Sequence, residues 1–206
     1  MFLKENVYKI LATQGAYAYA VRNEHGITLI DANCDGNGAA IMDELASVGL
    51  DKIDRILLTH ADYDHVGCAA YIHDLTGCDV FISAREMETV DDASLRRTTD
   101  GGIVPFQDCA VPPLKMLEGD SIAGFAIIPA YGHTWGHTCF LYDGVLFAGD
   151  IVAEAEGKWG DFSPLYTRDR NQSAQDIKRI SENYTFDLVC PAHGEPIACS
   201  VIEISV

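Results

Sequence analysis

Apolar and polar positions along the first third of the chain predict two strands, a helix and a further strand. Residues 16–21 and 27–31 alternate in the manner of strands, and the polar turn Asn23–Gly26 between them favours a hairpin. Residues 39–48 carry apolar side chains at helical spacing, and residues 53–58 form a short apolar run typical of a buried strand. The predicted order is therefore hairpin, helix, strand.

A second helix, another strand and an irregular segment follow. Residues 66–75 have helical spacing and stop before Gly77, and residues 79–82 indicate a strand. Residues 84–113 contain pairs of aspartates, arginines, glycines and prolines, with little periodicity beyond a short helix at 85–90. This composition predicts a lid or a loop region.

Strands return after residue 121 and again alternate with a helix. We predict strands at 125–128, 138–142, 145–147 and 186–190, and an amphipathic helix at 173–182. Helices that alternate with strands favour an α/β class in which two sheets pack together and loops at one edge share a site. No linker or tandem repeat interrupts the pattern, so we predict one domain over residues 1–206.

The net charge of the chain limits the kinds of molecule that it is expected to bind. The 14 lysines and arginines against 31 aspartates and glutamates give a net charge of −17, which repels nucleic acids and anionic membranes alike. We therefore expect a small-molecule substrate. The N-terminal residues resemble no signal peptide and no apolar run has the length of a membrane span, which predicts a cytoplasmic protein. The seven cysteines include no C-x-x-C pair, so reduced thiols are expected.

Potential metal ligands follow the predicted strands. His60, Asp62, Asp64 and His65 come directly after the apolar run that ends at Leu58. Further candidates lie in turns that contain glycine or at the end of an apolar run: His133, Asp150 and His193. Imidazole and carboxylate ligands together suit zinc, iron or manganese.

The spacing within the cluster suggests two ions. His60 and Asp62, at i and i+2 of an extended turn, can share one ion, whereas Asp64 and His65 point differently and would serve a second. Asp150 can bridge the two ions, and the remaining histidines would complete each coordination sphere. A hydroxide held between two divalent ions is available at neutral pH to attack a carbonyl or phosphorus centre. Hydrolysis is the predicted chemistry.

These motifs resemble the metallo-β-lactamase superfamily, and the similarity extends over most of the chain. Its signature T-H-x-H-x-D-H-x-G corresponds to Thr59–Gly67, and the later motifs correspond to Gly132–Thr134, Gly149–Asp150 and Pro191–Gly194. Leu29–Asp31 is similar to an early family strand that ends in aspartate.

The resemblance implies a four-layer αββα sandwich of the metallo-β-lactamase type, with its site along one edge. It also implies two divalent metal ions: one is held by His60, position 62 and His133, the other by Asp64, His65 and His193, and Asp150 bridges them. Asp64 would be both a ligand and the residue that orients the hydroxide.

Position 62 departs from the family pattern, because the family usually has histidine there and this chain has Asp62. A carboxylate is a harder ligand and adds a negative charge, which moves the metal preference from zinc toward iron or manganese. Flavodiiron members similarly carry a carboxylate at this position. Aspartate is also shorter than histidine, so Asp62 either ligates or leaves one metal site weak.

Three further residues are candidates for roles around the metals or the substrate. His137 lies in Gly136–Thr138, which resembles the G-H-T-x-G-H run of glyoxalase II-like members. We favour a role in which His137 contacts the metal ligands and helps to orient them, without binding the metal itself. Arg85, with Arg96 and Arg97, could hold a substrate carboxylate, although a solvated face is the more ordinary interpretation. Tyr166 is suited to a pocket wall or to packing against the core.

The predicted function is a binuclear metal-dependent hydrolase that acts on a small ester, thioester, lactone or phosphoester. The alternative is a non-haem iron oxidoreductase, flavodiiron-like or persulfide dioxygenase-like, which acts on O2, NO or a persulfide. A metal-binding sensor without turnover is a third possibility, which the full set of ligands disfavours.

Overall fold

The computed structural model describes residues 1–102, 109–160 and 165–203. The chain divides into two compact units, of which the first comprises Met1–Ile82 with Gln107–Leu117 and the second Ser83–Phe106 with Glu118–Val206. Each unit contains one main sheet and its own helices.

The sheet of the first unit has seven strands, arranged in the order of the sequence. Its first four strands pair antiparallel, and the fourth to the seventh pair parallel. The parallel strands are joined through helices, as parallel strands require. The strands are β1 (Phe2–Lys4), β2 (Val7–Lys9), β3 (Tyr19–Asn23), β4 (Gly26–Ile30), β5 (Ile53–Leu57), β6 (Asp79–Ile82) and β7 (Leu114–Met116).

Three helices belong to the first unit: α1 (Gly38–Ser47), α2 (Tyr63–Val66) and α3 (Ala69–Thr76). The helix predicted at 66–75 is α3, which begins only at Ala69, after α2 has ended at Val66. Helix α3 ends at Gly77, whose φ of 73° is left-handed and suits a residue without a side chain. Ile41 and Leu45 of α1 are fully buried, in agreement with the apolar spacing.

The second unit contains a five-stranded sheet, a two-stranded ribbon and two helices. The five-stranded sheet has the order β14-β11-β10-β9-β8, with β14 parallel to β11 and the other pairs antiparallel. The elements are α4 (Ala84–Asp91), β8 (Ser121–Ile122), β9 (Phe125–Pro129), β10 (Thr138–Tyr142), β11 (Val145–Gly149), β12 (Ala153–Ala155), β13 (Lys158–Gly160), α5 (Arg170–Asn183) and β14 (Leu188–Pro191). A short 3-10 helix, Ala93–Leu95, follows α4.

The parallel pair β11 and β14 determines where two of the candidate ligands emerge. Gly149 is opposite Pro191, and the backbone N–H of Ala192 donates to the carbonyl of Gly149 at 3.1 Å. The two strands thus end side by side, one residue before Asp150 and two residues before His193. The buried core of this unit fixes both strands through Leu146, Val189 and other apolar residues: Ile128, Cys139, Ala148, Ile151, Val152, Ile177, Ile180 and Phe186.

The observed elements agree with the predicted α/β class. The single domain predicted over residues 1–206 stays a prediction, and so does the four-layer αββα arrangement of the two units. The lid or loop region predicted at 84–113 contains α4 and the 3-10 helix, and its residues 103–108 lie outside the described residues. In the part of the chain that the structure describes, no helix combines the length and apolarity needed to cross a membrane.

Candidate metal centre

The first ligand group, His60, Asp62, Asp64 and His65, lies directly after the buried strand β5. Asp62 has an extended backbone and precedes the first residue of α2, so the chain turns sharply within the group. Both histidine side chains are fully buried, whereas the side chains of Asp62 and Asp64 are 16% and 29% exposed. The carboxylates are thus the members of the group that contact solvent.

Within this group each histidine faces one carboxylate. Nε2 of His60 is 3.6 Å from Oδ2 of Asp62, and Nε2 of His65 is 3.8 Å from Oδ1 of Asp64. Two ligand atoms bound at about 2.1 Å to one metal in roughly tetrahedral geometry lie about 3.4 Å apart. The pairs are therefore close to the separation that a shared ion requires. The assignment of each pair to its own ion stays a prediction.

Asp31 and Thr59 fix the orientation of both histidines. Nδ1 of His65 donates to Oδ2 of Asp31 at 2.9 Å, and the Thr59 hydroxyl donates to the same oxygen at 2.8 Å. The hydroxyl has a single hydrogen, which it donates to Asp31, so in its 3.0 Å contact with Nδ1 of His60 the imidazole is the donor. In a neutral imidazole with Nδ1 as the donor, Nε2 carries the lone pair that can bind a metal.

The position of Asp31 follows from the sheet. Strands β4 and β5 pair in parallel with Ile30 opposite Leu57, so Asp31 and Thr59 leave the sheet at the same end. Asp31 has a φ of 60°, and its Oδ1 also accepts the backbone N–H of Thr59 at 2.8 Å. Sequence reasoning related Asp31 to a family strand but missed this role. The available signal was an aspartate that ends a buried strand next to the strand that precedes the ligands.

The second ligand group, His133, Asp150 and His193, belongs to the second unit. His133 lies in the loop between β9 and β10, and the other two residues follow β11 and β14. Oδ2 of Asp150 is 3.5 Å from Nε2 of His133 and 3.4 Å from Nε2 of His193. One carboxylate oxygen thus faces two imidazoles at the spacing of shared metal ligands. The role of both groups as metal ligands stays a prediction.

His137 contacts the backbone of Asp150. Its Nε2 accepts the N–H of Asp150 at 3.1 Å, and the imidazole is fully buried. Because this hydrogen bond occupies the Nε2 lone pair, that nitrogen is bound to the backbone of a candidate ligand. A role for His137 in a second layer of contacts around metal ligands stays a prediction.

Helix α4 holds the loop that carries His133. The Ser83 hydroxyl donates to the carbonyl of Gly136 at 2.7 Å and accepts the N–H of Glu86 at 3.2 Å. The fully buried Glu86 carboxylate accepts the N–H of Gly136 at 2.7 Å and the hydroxyl of Thr134. Sequence reasoning missed both residues. Their S-x-x-E spacing was visible as a helix start, but their partners lie about fifty residues away along the chain.

Arg96 is buried beside His133. Its Nη2 lies 3.3 Å from Nε2 of His133, and its side chain is 2% exposed. The interpretation of the three arginines as a solvated face is therefore wrong for Arg96, because this guanidinium is enclosed against a candidate ligand. The neighbouring Arg97 is exposed and donates to the carbonyl of Gly101 within its own turn.

Arg85 and Tyr166 lie in different surroundings. The Arg85 guanidinium stacks on the rings of Tyr131 and Trp135, at 4.2 and 4.7 Å from their centroids. This stacking is a packing contact of moderate strength. Tyr166 is 46% exposed, so it does not pack in the core. A role for either residue around the metals or the substrate stays a prediction.

Two buried or half-buried thiols are held in their protonated form. Among the described residues the cysteines form no disulfide, and burial raises the pKa of Cys34 and raises that of Cys68 to about 11. A protonated thiol is a weak nucleophile. The chemistry of the chain is therefore better assigned to the histidines and aspartates.

Known proteins place the chain in a family. The model of the Metallo-beta-lactamase superfamily matches residues 13–193. The chain is similar to a probable metallo-hydrolase, MJ0888 of Methanocaldococcus jannaschii, with 29% identity over 95% of this chain and 93% of that protein. It is also similar to a hydroxyacylglutathione hydrolase of Citrobacter koseri, with 27% identity over 98% of this chain and 70% of that protein.

A solved structure supports the same assignment. The crystal structure of TTHA1623 in a di-iron-bound form has a TM-score of 0.70 and 26% identity, and the match covers 90% of this chain and 92% of that one. The predicted family and fold class are confirmed by these matches, and the predicted enzyme class agrees with the relatives that are named as hydrolases. The chain belongs to the metallo-β-lactamase superfamily.

Proposed function

We propose that the chain is a binuclear metal-dependent hydrolase that acts on a small ester, thioester, lactone or phosphoester. The observation that carries this proposal is the facing of histidine nitrogens and carboxylate oxygens at 3.4 to 3.8 Å within each ligand group. Such spacing suits ligands that share a divalent ion. The relatives named metallo-hydrolase and hydroxyacylglutathione hydrolase support a hydrolytic reaction.

The first and second ligand groups together would hold two divalent ions. We expect zinc, although the carboxylate of Asp62 is a ligand that also suits iron or manganese. When bound, the ions supply Lewis acidity and a water whose pKa is low enough for attack at neutral pH.

The residues of the chain have separate tasks in this proposal. Asp31 and Thr59 keep the Nε2 lone pairs of the two histidines of the first ligand group available for ligation. Asp64, the more exposed carboxylate of that group, would serve as a metal ligand and would orient the attacking water. His137 maintains the position of Asp150 through the backbone N–H.

Metal analysis of protein purified without added metal, combined with an esterase, thioesterase and phosphodiesterase panel, tests the proposal. We expect close to two metal ions per chain, a hydrolytic activity, and loss of that activity in Asp64→Ala. Asp74→Ala, which removes an exposed carboxylate from helix α3, serves as the matched control and should remain active. Two iron ions with an oxygen-sensitive colour and no hydrolysis of any substrate would contradict the proposal.

A second candidate function is a non-haem iron oxidoreductase that acts on O2, NO or a persulfide. The observation that favours it is Asp62, whose carboxylate faces His60 where the family usually has histidine. TTHA1623, which is similar to this chain, is described in a di-iron-bound form. Oxygen or persulfide consumption by the iron-loaded protein, measured beside the hydrolase panel, separates the two functions.

The contribution of Asp62 can be tested on its own. We expect Asp62→His to raise zinc retention during dialysis against a chelator, because imidazole is a softer ligand than carboxylate and suits zinc better. Metal identity and occupancy are measured by elemental analysis. If both are unchanged in Asp62→His, Asp62 is not a ligand.

A further inference from the structure

His193 lies in a loop that is closed by backbone hydrogen bonds. Val189 of β14 and Ile197 exchange two such bonds, with 2.9 and 3.0 Å between nitrogen and oxygen, so residues 190–196 form the His193 loop. The side chain of His193 is 24% exposed, whereas that of His133 is fully buried. The core therefore encloses His193 less than it encloses His133, and the position of His193 depends more on the contacts of its own loop.

Glu154 of β12 contacts the His193 loop at two points. Its backbone N–H donates to the carbonyl of His193 at 2.9 Å, and Oε2 of its carboxylate accepts the N–H of Glu195 at 2.7 Å. The other oxygen, Oε1, accepts the N–H of Gly157 at 2.6 Å, in the turn between β12 and β13. One residue thus joins the loop at His193 and two residues beyond it, and its carboxylate is itself fixed by the ribbon of β12 and β13.

Gly194 allows the loop and the ribbon to lie this close together. Its φ of 99° is a conformation that residues with a side chain rarely adopt. A β-carbon at Gly194 would overlap the carbonyl oxygen of Glu154 and lie 2.6 Å from its β-carbon. A side chain at this position would therefore push the His193 loop away from Glu154.

The carboxylate of Glu154 contacts backbone groups and does not belong to the candidate ligands. Over residues 1–102, 109–160 and 165–203, three groups of potential ligand atoms lie within 4.8 Å of one another, and Glu154 is in none of them. Both of its oxygens accept backbone N–H groups. Any contribution of Glu154 to a metal centre is therefore indirect, through the position of His193.

We propose that Glu154 is a positioning residue for the metal ion that His193 binds. This inference rests on the proposed function, because it requires that His193 is a metal ligand. A ligand that is already held in its binding position loses less conformational entropy when the ion binds, so the ion is bound more tightly. The effect is confined to the ion on His193, and the proposed second ion, which has His133 among its ligands, does not depend on Glu154.

Zinc titration of the metal-free protein, followed by calorimetry, separates the two binding steps. We expect Glu154→Ala to weaken one step by about 10-fold, the lower end of the range for residues that orient metal ligands, and to leave the other step within about twofold. Glu154→Gln keeps one oxygen acceptor and should recover part of the lost affinity. Gly194→Ala disturbs the same contact from the side of the loop and should weaken the same step.

Two control variants separate this effect from changes of charge and of stability. Glu118→Gln removes a negative charge from an exposed position, as Glu154→Gln does from the ribbon, and should match wild type at both steps. Ile180→Val removes a buried methyl group from the core of the same unit, so it should lower the melting temperature and leave both steps unchanged. The visible absorption of the cobalt-loaded protein reports the geometry around each ion, and Glu154→Ala should alter the bands of one ion only.

Circular dichroism is measured for every variant. Wild-type affinity at both steps in folded Glu154→Ala would overturn the proposal, and so would equal weakening of both steps, which a general loss of stability would produce. Wild-type protein that binds no metal would refute the proposed function itself. If neither Glu154→Ala nor Gly194→Ala folds, Glu154→Gln provides the test, and wild-type affinity at both steps in that variant overturns the proposal.

Discussion

Glu86 allows a sharp test of how the His133 loop is held. Its fully buried carboxylate accepts the N–H of Gly136 and the hydroxyl of Thr134. Both donors share one carboxylate oxygen, Oε1, so replacement by alanine removes their common acceptor and leaves the two donors enclosed. The change therefore affects the loop that carries a candidate ligand without touching the ligand itself.

The magnitude follows from the two hydrogen bonds. A hydrogen bond to a charged group contributes about 1.5 to 3 kcal/mol, and a buried donor left without a partner costs about 1 to 3 kcal/mol. Some of this loss is recovered if water enters the space, so we expect Glu86→Ala to lower the free energy of unfolding by about 3 to 5 kcal/mol. Glu86→Gln keeps one oxygen that can accept both donors, as Oε1 does in the wild type, and should lose about 1 to 2 kcal/mol because the hydrogen bonds are no longer made to a charged group.

Urea unfolding of the metal-free protein, followed by circular dichroism, measures these differences. Glu88→Ala removes an exposed carboxylate from the same helix and should change the free energy by less than about 0.5 kcal/mol. The metal-loaded alanine variant should also lose its metal to a chelator sooner than wild type, because His133 is less well positioned. A loss below about 1 kcal/mol in Glu86→Ala, or equal losses in the alanine and glutamine variants, would refute the reasoning.

Three further predictions concern other contacts. Asp31→Asn removes the charge that orients the imidazoles, whereas asparagine tolerates the left-handed backbone at this position, so metal affinity should fall about 10- to 100-fold. The control Asp35→Asn changes an exposed carboxylate and should match wild type; equal affinities of the two variants in chelator competition would contradict this prediction. Burial raises the pKa of Tyr8 from 10.0 to about 12, so between these pH values the native state binds more protons than the unfolded chain. The free energy of unfolding should therefore fall as the pH rises through this range, and Tyr8→Phe should lack this part of the decline. An identical dependence of the free energy of unfolding on pH in both proteins would refute the raised pKa of Tyr8. A β-carbon at Gly132 would overlap the backbone of α5, so Gly132→Ala should lower the melting temperature by several degrees. The control Gly160→Ala meets nothing within 4 Å among the described residues and should not; similar melting curves for the two variants would disprove the overlap.

The sequence predicted those parts of the fold that depend on local patterns. The β10–β11 hairpin was anticipated because Asp143 and Gly144 form a two-residue turn, and both have positive φ in the structure. The strand predicted at residues 16–21 begins only at Tyr19, because the carbonyl of Ala16 accepts the side-chain amide of Asn33 instead of a strand partner. Strands of three residues, such as β1 and β2, are too short to produce a recognisable pattern.

In the candidate site, too, local sequence patterns predicted some of the residues, and only the folded structure shows the contacts of the others. The candidate ligands were visible because histidine and aspartate recur at predicted strand ends. Glu86 was not, since its partner Gly136 lies 50 residues away and no local pattern encodes such a pairing. Arg96 was considered only as a possible binder of a substrate carboxylate or as part of a solvated face, and its contact with His133, 37 residues away, was not anticipated. The residues around Arg96 have the composition of a surface loop, and only the folded structure shows that Arg96 is enclosed.

The contacts of Asp31 have a consequence for the order of folding. They join residues 28 and 34 positions apart, across the β4, α1 and β5 segment and the short turn that follows. Loop-closure entropy favours contacts of this modest range over more distant ones, so we expect this segment to form among the first structured parts of the chain. The imidazoles of His60 and His65 would then be oriented while later strands are still unpaired. During synthesis, a chain that has emerged only to about residue 70 would already present a pair of ordered ligands, and metal capture could begin before the second ligand group exists.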